Sequence, residues 1–155
     1  MVSTLHPKRK PRDGIDEYGR SPLINAVCDK DFEIAEQALA NGADINLQDD
    51  GGYSALFFAV QDKDVEISTY LLEHGANPNL ADRFNNTPLM RALNETNGNP
   101  DDDAEILELL LAHGAEILPV VKKFANEYVN GEIIRGGTTS PKLSAVIEHI
   151  ANFKL

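Results

Sequence analysis

The chain has 155 residues, 42% apolar and 25% charged, enough for one folded domain, and no stretch of it resembles a signal-peptide core or a membrane span. Its net charge of -11 is concentrated in residues 13–118, where 22 acidic and 5 basic side chains leave a local balance of -17. A field of that sign repels phosphate backbones, which argues against nucleic acid and for a partner with a basic surface; plain solubility is the other reading.

Residues 1–12 carry Lys8, Arg9, Lys10 and Arg12 with no acid and read as a flexible basic terminus, a localisation patch being the alternative. From Asp16 the chain repeats itself. Asp16, Asp49 and Asp82 fall 33 residues apart, and Gly19, Gly52 and Asn85, then Ser21, Ser54 and Thr87, then Leu23, Leu56 and Leu89, then Ala26, Ala59 and Ala92 form parallel rows. A period of that size reports stacked supersecondary units, none able to bury its apolar face alone.

Each unit reads as turn, short helix, turn, longer helix and an extended finger. The hydroxyls of Ser21, Ser54 and Thr87 are placed to cap the first helix, with Pro22 and Pro88 at its first position. Leu23 and Ala26 and their equivalents share one buried face. On the second helix Ile34, Ile67 and Ile106, and Leu39, Leu72 and Leu111, form expected core rows; Gly42, Gly75 and Gly114 end those helices. Gly19, Gly52 and Asn85 suit a left-handed turn in each finger.

These residues reach a known family: "DEYGRSPLINAV", "RFNNTPLMRAL", "GADINLQD" and "GANPNLAD" resemble ankyrin repeats over about residues 13–118. The resemblance implies an all-α solenoid of helix-turn-helix units with β-hairpin-like finger loops, in three repeats at about 16–48, 49–81 and 82–118. It also implies a non-catalytic protein-binding role. The family's finger-bracing histidine is replaced by Ile24, Phe57 and Met90, so the bracing must come from elsewhere.

The third copy holds six extra residues within "NETNGNPDDD", expected to form an exposed loop that either meets a partner or is simply tolerated. After Gly114 the pattern dissolves. Pro119 opens a helix with Val120, Val121, Phe124 and Tyr128 roughly on one side, Gly136 and Gly137 break the chain, and Ser140-Pro141 reopens it with Leu143, Val146, Ile147 and Ile150 at helical spacing. The latter resembles a decayed first helix of a fourth unit, and residues 119–155 are expected to cap the stack.

Site chemistry is sparse. His74 and His113 sit just before the terminal glycines, suited to the helix C-terminal dipole rather than to a metal. Asp101, Asp102 and Asp103 lack an EF-hand pattern and read as solvated charge. No catalytic or phosphate-binding motif is found, so no cofactor and no metal are expected, and Cys28 reads as a packed thiol. As the only cysteine it excludes an internal disulfide, and a cytoplasmic monomer is expected.

By the resemblance, recognition belongs to finger tips and the outward side of the first helices. The resulting partner-binding candidates are Tyr18, Arg20, Asp29, Asp50, Tyr53, Phe58, Asp62, Arg83, Phe84, Asn86, Arg91 and Glu95. They set aromatic anchors beside an acidic row at Asp29, Asp62 and Glu95. Three functions are carried forward: a neutralising partner, such as an immunity protein masking a cationic toxin or enzyme; a scaffold or regulatory subunit with several partners; and, remotely, an enzyme built on the C-terminal segment.

Overall fold

The computed structural model describes residues 14–94, 99–130 and 140–154 and places eight helices among them. They are α1 (Pro22–Cys28), α2 (Phe32–Ala40), α3 (Ala55–Gln61), α4 (Val65–Glu73), α5 (Pro88–Asn94), α6 (Pro100–Ala112), α7 (Pro119–Val129) and α8 (Pro141–Asn152). An isolated antiparallel bridge joins Gln48 to Ser54 in the second finger. The basic terminus, Glu95 and the Gly136-Gly137 break lie outside the described residues.

Local chemistry starts each helix as the repeat demands. Ser21 and Ser54 accept the amides of Ile24 and Phe57 at 3.2 Å, and Thr87 that of Met90 at 3.3 Å. Each satisfies one of the orphan donors of a helix N-terminus. Asp31 and Asp64 do the same for the second helices, accepting from Ile34 at 3.1 Å and Ile67 at 3.0 Å. At the other end Gly42, Gly75 and Gly114 take the expected left-handed conformation. His74 and His113 are C-caps whose Nδ1 atoms lie 2.7 Å and 2.9 Å from the carbonyls of Tyr70 and Leu109.

The helices stack in two rows. First helices pack α1 on α3, α3 on α5 and α5 on α7; second helices pack α4 on α6 and α6 on α8. Between the rows runs one apolar core containing Leu23, Leu56, Leu89, Ile67, Ile106, Leu107, Leu110 and Ile147. This order corrects the expectation for the C-terminal segment. The helix after Ser140 is α8, in a second-helix place, and α7 fills the first-helix place of the fourth layer. Val121 is buried as expected of the cap, but Val120 is exposed.

Two further expectations change. Ile34 is not core: it is 45% exposed, because it belongs to the outermost second helix of the described stack, and Leu39 and Leu111 are only half-buried. The six extra residues are not wholly loop. α6 has 13 residues where α2 and α4 have 9, and the added turn, Pro100–Asp103, lies at its start. Asn99 now caps the helix at the Asp101 amide. Asp103, the positional equivalent of the capping Asp31 and Asp64, is thereby freed from capping. It is buried rather than solvated and pairs with Lys63 of the preceding repeat at 2.5 Å.

Candidate functional site

The fingers form a braced ladder. In each, one carboxylate oxygen of the leading aspartate accepts two backbone amides: Asp16 those of Tyr18 and Arg20 at 2.8 and 2.9 Å, Asp49 those of Gly51 and Tyr53 at 2.8 and 2.9 Å, Asp82 those of Phe84 and Asn86 at 2.8 and 2.9 Å. These bonds brace each finger from within. The row of three aspartates was visible in the sequence; its role was not, because nothing in spacing alone says where a carboxylate points. At Asp16 burial works to raise the acid's pKa, but the amides of Arg20 and Tyr18, the Asn25 side chain and the Arg20 charge hold it below the ordinary carboxylate value.

Neighbouring fingers are joined by backbone bonds from Asp50 to the Tyr18 carbonyl at 2.9 Å and from Arg83 to the Gly51 carbonyl at 3.1 Å. Gly19 and Gly52 sit at φ 78° and 83°, with Asn85 at 66° in the third finger. Besides permitting that conformation, glycine makes room. A Cβ on Gly52 would lie 2.9 Å from the Arg83 amide nitrogen, inside the next finger. Farther back, the Asn46 carboxamide accepts from Asn77 at 2.8 Å, and Asn79 accepts from Glu116 at 2.8 Å, stitching each repeat to the next.

The candidate residues divide by what holds them. Arg20 pairs with Asp49 at 3.5 Å and lies over the rings of Tyr18 at 5.4 Å and Phe58 at 4.9 Å. Tyr53 packs on Phe57 at 4.8 Å and Phe58 at 5.6 Å, and Phe58 also leans on the core. Asn86 donates to the Asp82 carboxylate, and Asp50 and Arg91 are also held by contacts within the chain. Phe84 is 79% exposed and Tyr18 58%, with Arg83 exposed beside Phe84. Asp29 and Asp62 are exposed C-cap residues of α1 and α3.

Cys28 lies next to this acidic row. Burial pushes its thiol pKa up; Arg20 opposes, and Asp62, Asp29 and Asp49 add to the rise, so the thiol stays protonated and poorly nucleophilic near neutral pH. Among the described residues no three His, Cys, Asp or Glu side chains cluster as metal ligands, and no helix is long and apolar enough to cross a membrane.

Paired helices stacked in two rows, with a ladder of braced fingers along one edge, define a helical-repeat solenoid. A model of ankyrin repeats matches three copies across residues 23–120, more than half of the chain, and the chain belongs to the ankyrin-repeat family. Its fold is similar to the crystal structure of an ankyrin repeat domain from Acinetobacter baumannii AYE. The TM-score is 0.70, over 91% of this chain and 69% of that one, at 22% identity. No curated protein matches the sequence. Ankyrin repeats generally mediate protein–protein interaction, and the family is typically non-catalytic.

Proposed function

We propose that the chain is a non-catalytic binding protein that captures a basic protein surface with its fingers and first-helix face, and that capture neutralises the partner. The observation that carries this reading is the exposure of Phe84 and Tyr18 on the fingers and of Asp29 and Asp62 at the ends of the first helices, in a block of net charge -17. Aromatic side chains on a rigid support supply contact area at low entropic cost, and acids around them steer a cationic partner in. Bracing of each finger from within fixes those aromatics before binding, so little order has to be gained on association.

The test compares proteins retained by the full-length chain with those retained by a chain carrying Phe84→Ala and Asp62→Asn. A neutralising partner is a single basic protein, bound 1:1, with an association rate that falls steeply as salt rises and an activity lost on binding. An association rate indifferent to salt removes the steering argument. Several weakly retained proteins, or a partner that stays active when bound, point to the scaffold reading instead.

A further inference from the structure

In each finger one oxygen of the leading aspartate accepts two amides, and the other oxygen is met differently in each. The Asp16 Oδ2 accepts from the Asn25 side chain at 3.2 Å, and the Asp82 Oδ2 from that of Asn86 at 3.1 Å. Both partners are neutral carboxamides of the same repeat. In the second repeat the matching positions hold Phe58 and Tyr53, which carry no amide. The Asp49 Oδ2 faces instead the Nε of Arg20, at 3.5 Å, on the finger before it. The Asp49 side chain is only 4% exposed, so its second oxygen has little water to turn to.

Aromatics in place of amides thus move the partner of the second brace onto a neighbouring finger, and an aromatic then receives it. The Arg20 guanidinium lies 4.9 Å from the centre of the Phe58 ring and 5.4 Å from that of Tyr18. Phe58 in turn meets Tyr53 at 5.6 Å. One planar cation therefore serves a nearly buried carboxylate, the exposed aromatic of the first finger and a ring of α3. Arginine suits this because its N–H groups point outward in its plane while its faces stack on rings; a lysine ammonium is a point charge. Phe84 on the third finger, 79% exposed, has no cation over its ring among the described residues.

We propose that Arg20 is the positioning residue of the binding face: it ties the first and second fingers into one unit and holds the Tyr18 ring in place before a partner arrives. It acts through Asp49, which carries the Gly51 and Tyr53 amides, and through the Tyr18 ring itself. The Asp50 amide, bonded to the Tyr18 carbonyl at 2.9 Å, closes the link along the backbone. Tyr18 is thereby a fixed anchor and Phe84 one that gains order on contact, and a contact made at Tyr18 is felt in the second finger. The proposal rests on Tyr18 belonging to the binding face described above.

Its test needs no partner. The full-length protein is compared with Arg20→Met, which keeps the aliphatic stem, and Arg20→Lys, which keeps the charge, by amide hydrogen exchange and by relaxation of the aromatic carbons. In Arg20→Met the amides of Asp50, Gly51 and Tyr53 are expected to exchange about fivefold faster, the size of one partly exposed ion pair, while those of Phe84 and Asn86 keep their rates. The Tyr18 ring becomes as mobile as that of Phe84. Arg20→Lys restores most of the amide protection and leaves the Tyr18 ring loose, which separates the charge from the stacking. Unchanged second-finger amides in Arg20→Met overturn the proposal, as does an acceleration spread equally over all three fingers, the mark of a general loss of stability. So does a lysine variant that behaves like the methionine variant at the amides or like the parent at the ring. If Arg20→Met misfolds, Arg20→Lys decides by the same two readouts. Any of these failures leaves capture of a basic surface standing, and a failure of capture leaves the coupling of the fingers standing, because neither measurement enters the other.

Discussion

Lys63 and Asp103 bind the second repeat to the third through a pair whose side chains are 20% and 3% exposed. Lys63→Met keeps the length of the side chain and removes its charge, leaving the Asp103 carboxylate nearly dry and unpaired. Breaking a buried pair from one side costs about 3–5 kcal/mol, and the partial exposure of Lys63 puts this case near the lower end, about 3 kcal/mol. Removing both charges, with Lys63→Met and Asp103→Leu together, leaves no orphaned ion and is expected to fall within about 1 kcal/mol of the parent or above it. Urea unfolding of the four proteins, followed by circular dichroism, gives the coupling energy as the non-additive part of the cycle. Hydrogen exchange in α6 reports whether the third repeat loosens alone, since stacked repeats lose their cooperativity at the weakest interface. A Lys63→Met cost below about 1 kcal/mol, as for an exposed pair, would show that Asp103 is solvated and refute the reasoning.

Ser68 is fully buried and its hydroxyl has no hydrogen-bond partner among the described residues, where the equivalent positions are Ala35 and Leu107; Ser68→Ala is expected to stabilise by about 1 kcal/mol in urea unfolding, and a loss would mean that the hydroxyl has a partner. Gly52→Ala forces a side chain into a left-handed turn and against the third finger, and should cost at least about 1–2 kcal/mol in the same assay, more than Gly42→Ala, whose added Cβ meets no neighbouring atom. Asp16 has a folded pKa below its ordinary unfolded value, so its contribution is complete above that unfolded value and is lost as pH falls through the lower folded one. Asp16→Asn should therefore flatten the acid limb of the stability curve, and an unchanged limb would contradict the shift. Asp62→Asn removes an acid from a helix C-terminus and should stabilise the free protein by about 0.3–1 kcal/mol while weakening capture of a cationic partner.

What was legible in the sequence was whatever one repeat enforces on another. The Ser and Thr caps, the left-handed Gly19, Gly52 and Asn85, and the Leu23, Leu56 and Leu89 row recur because each unit solves the same steric problem, and periodicity alone exposes them. Less was legible where the solution depends on direction or on a neighbouring layer. The rows of Asp31 and Asp64 were in plain sight, yet reading Asp103 as their displaced third member requires knowing that α6 gained a whole turn rather than a loop. Four added residues continue a helix only if the former cap is carried inside it, and then its carboxylate needs a cation. Ile34 matches Ile67 and Ile106 letter for letter but has no earlier second helix among the described residues to cover it. In the candidate face, sequence position placed Arg20, Tyr53 and Phe58 at the surface columns, while their mutual packing depends on side-chain direction across the finger.

The fingers stop at the third, and the reason is length. Fourteen residues separate α2 from α3 and α4 from α5, but only six separate α6 from α7, too few for a turn that reaches the edge of the stack. No further finger follows to cover Phe84, which accounts for its exposure at the end of the ladder. The charge changes at the same boundary. Residues 119–155 carry five basic and three acidic side chains, and the first helix beyond the fingers, α7, bears Lys122 and Lys123. On the proposed reading, a cationic partner surface is attracted over the first two repeats and meets Arg83 and then these lysines at the far end. The partner's basic surface is thereby drawn to the α1 and α3 side.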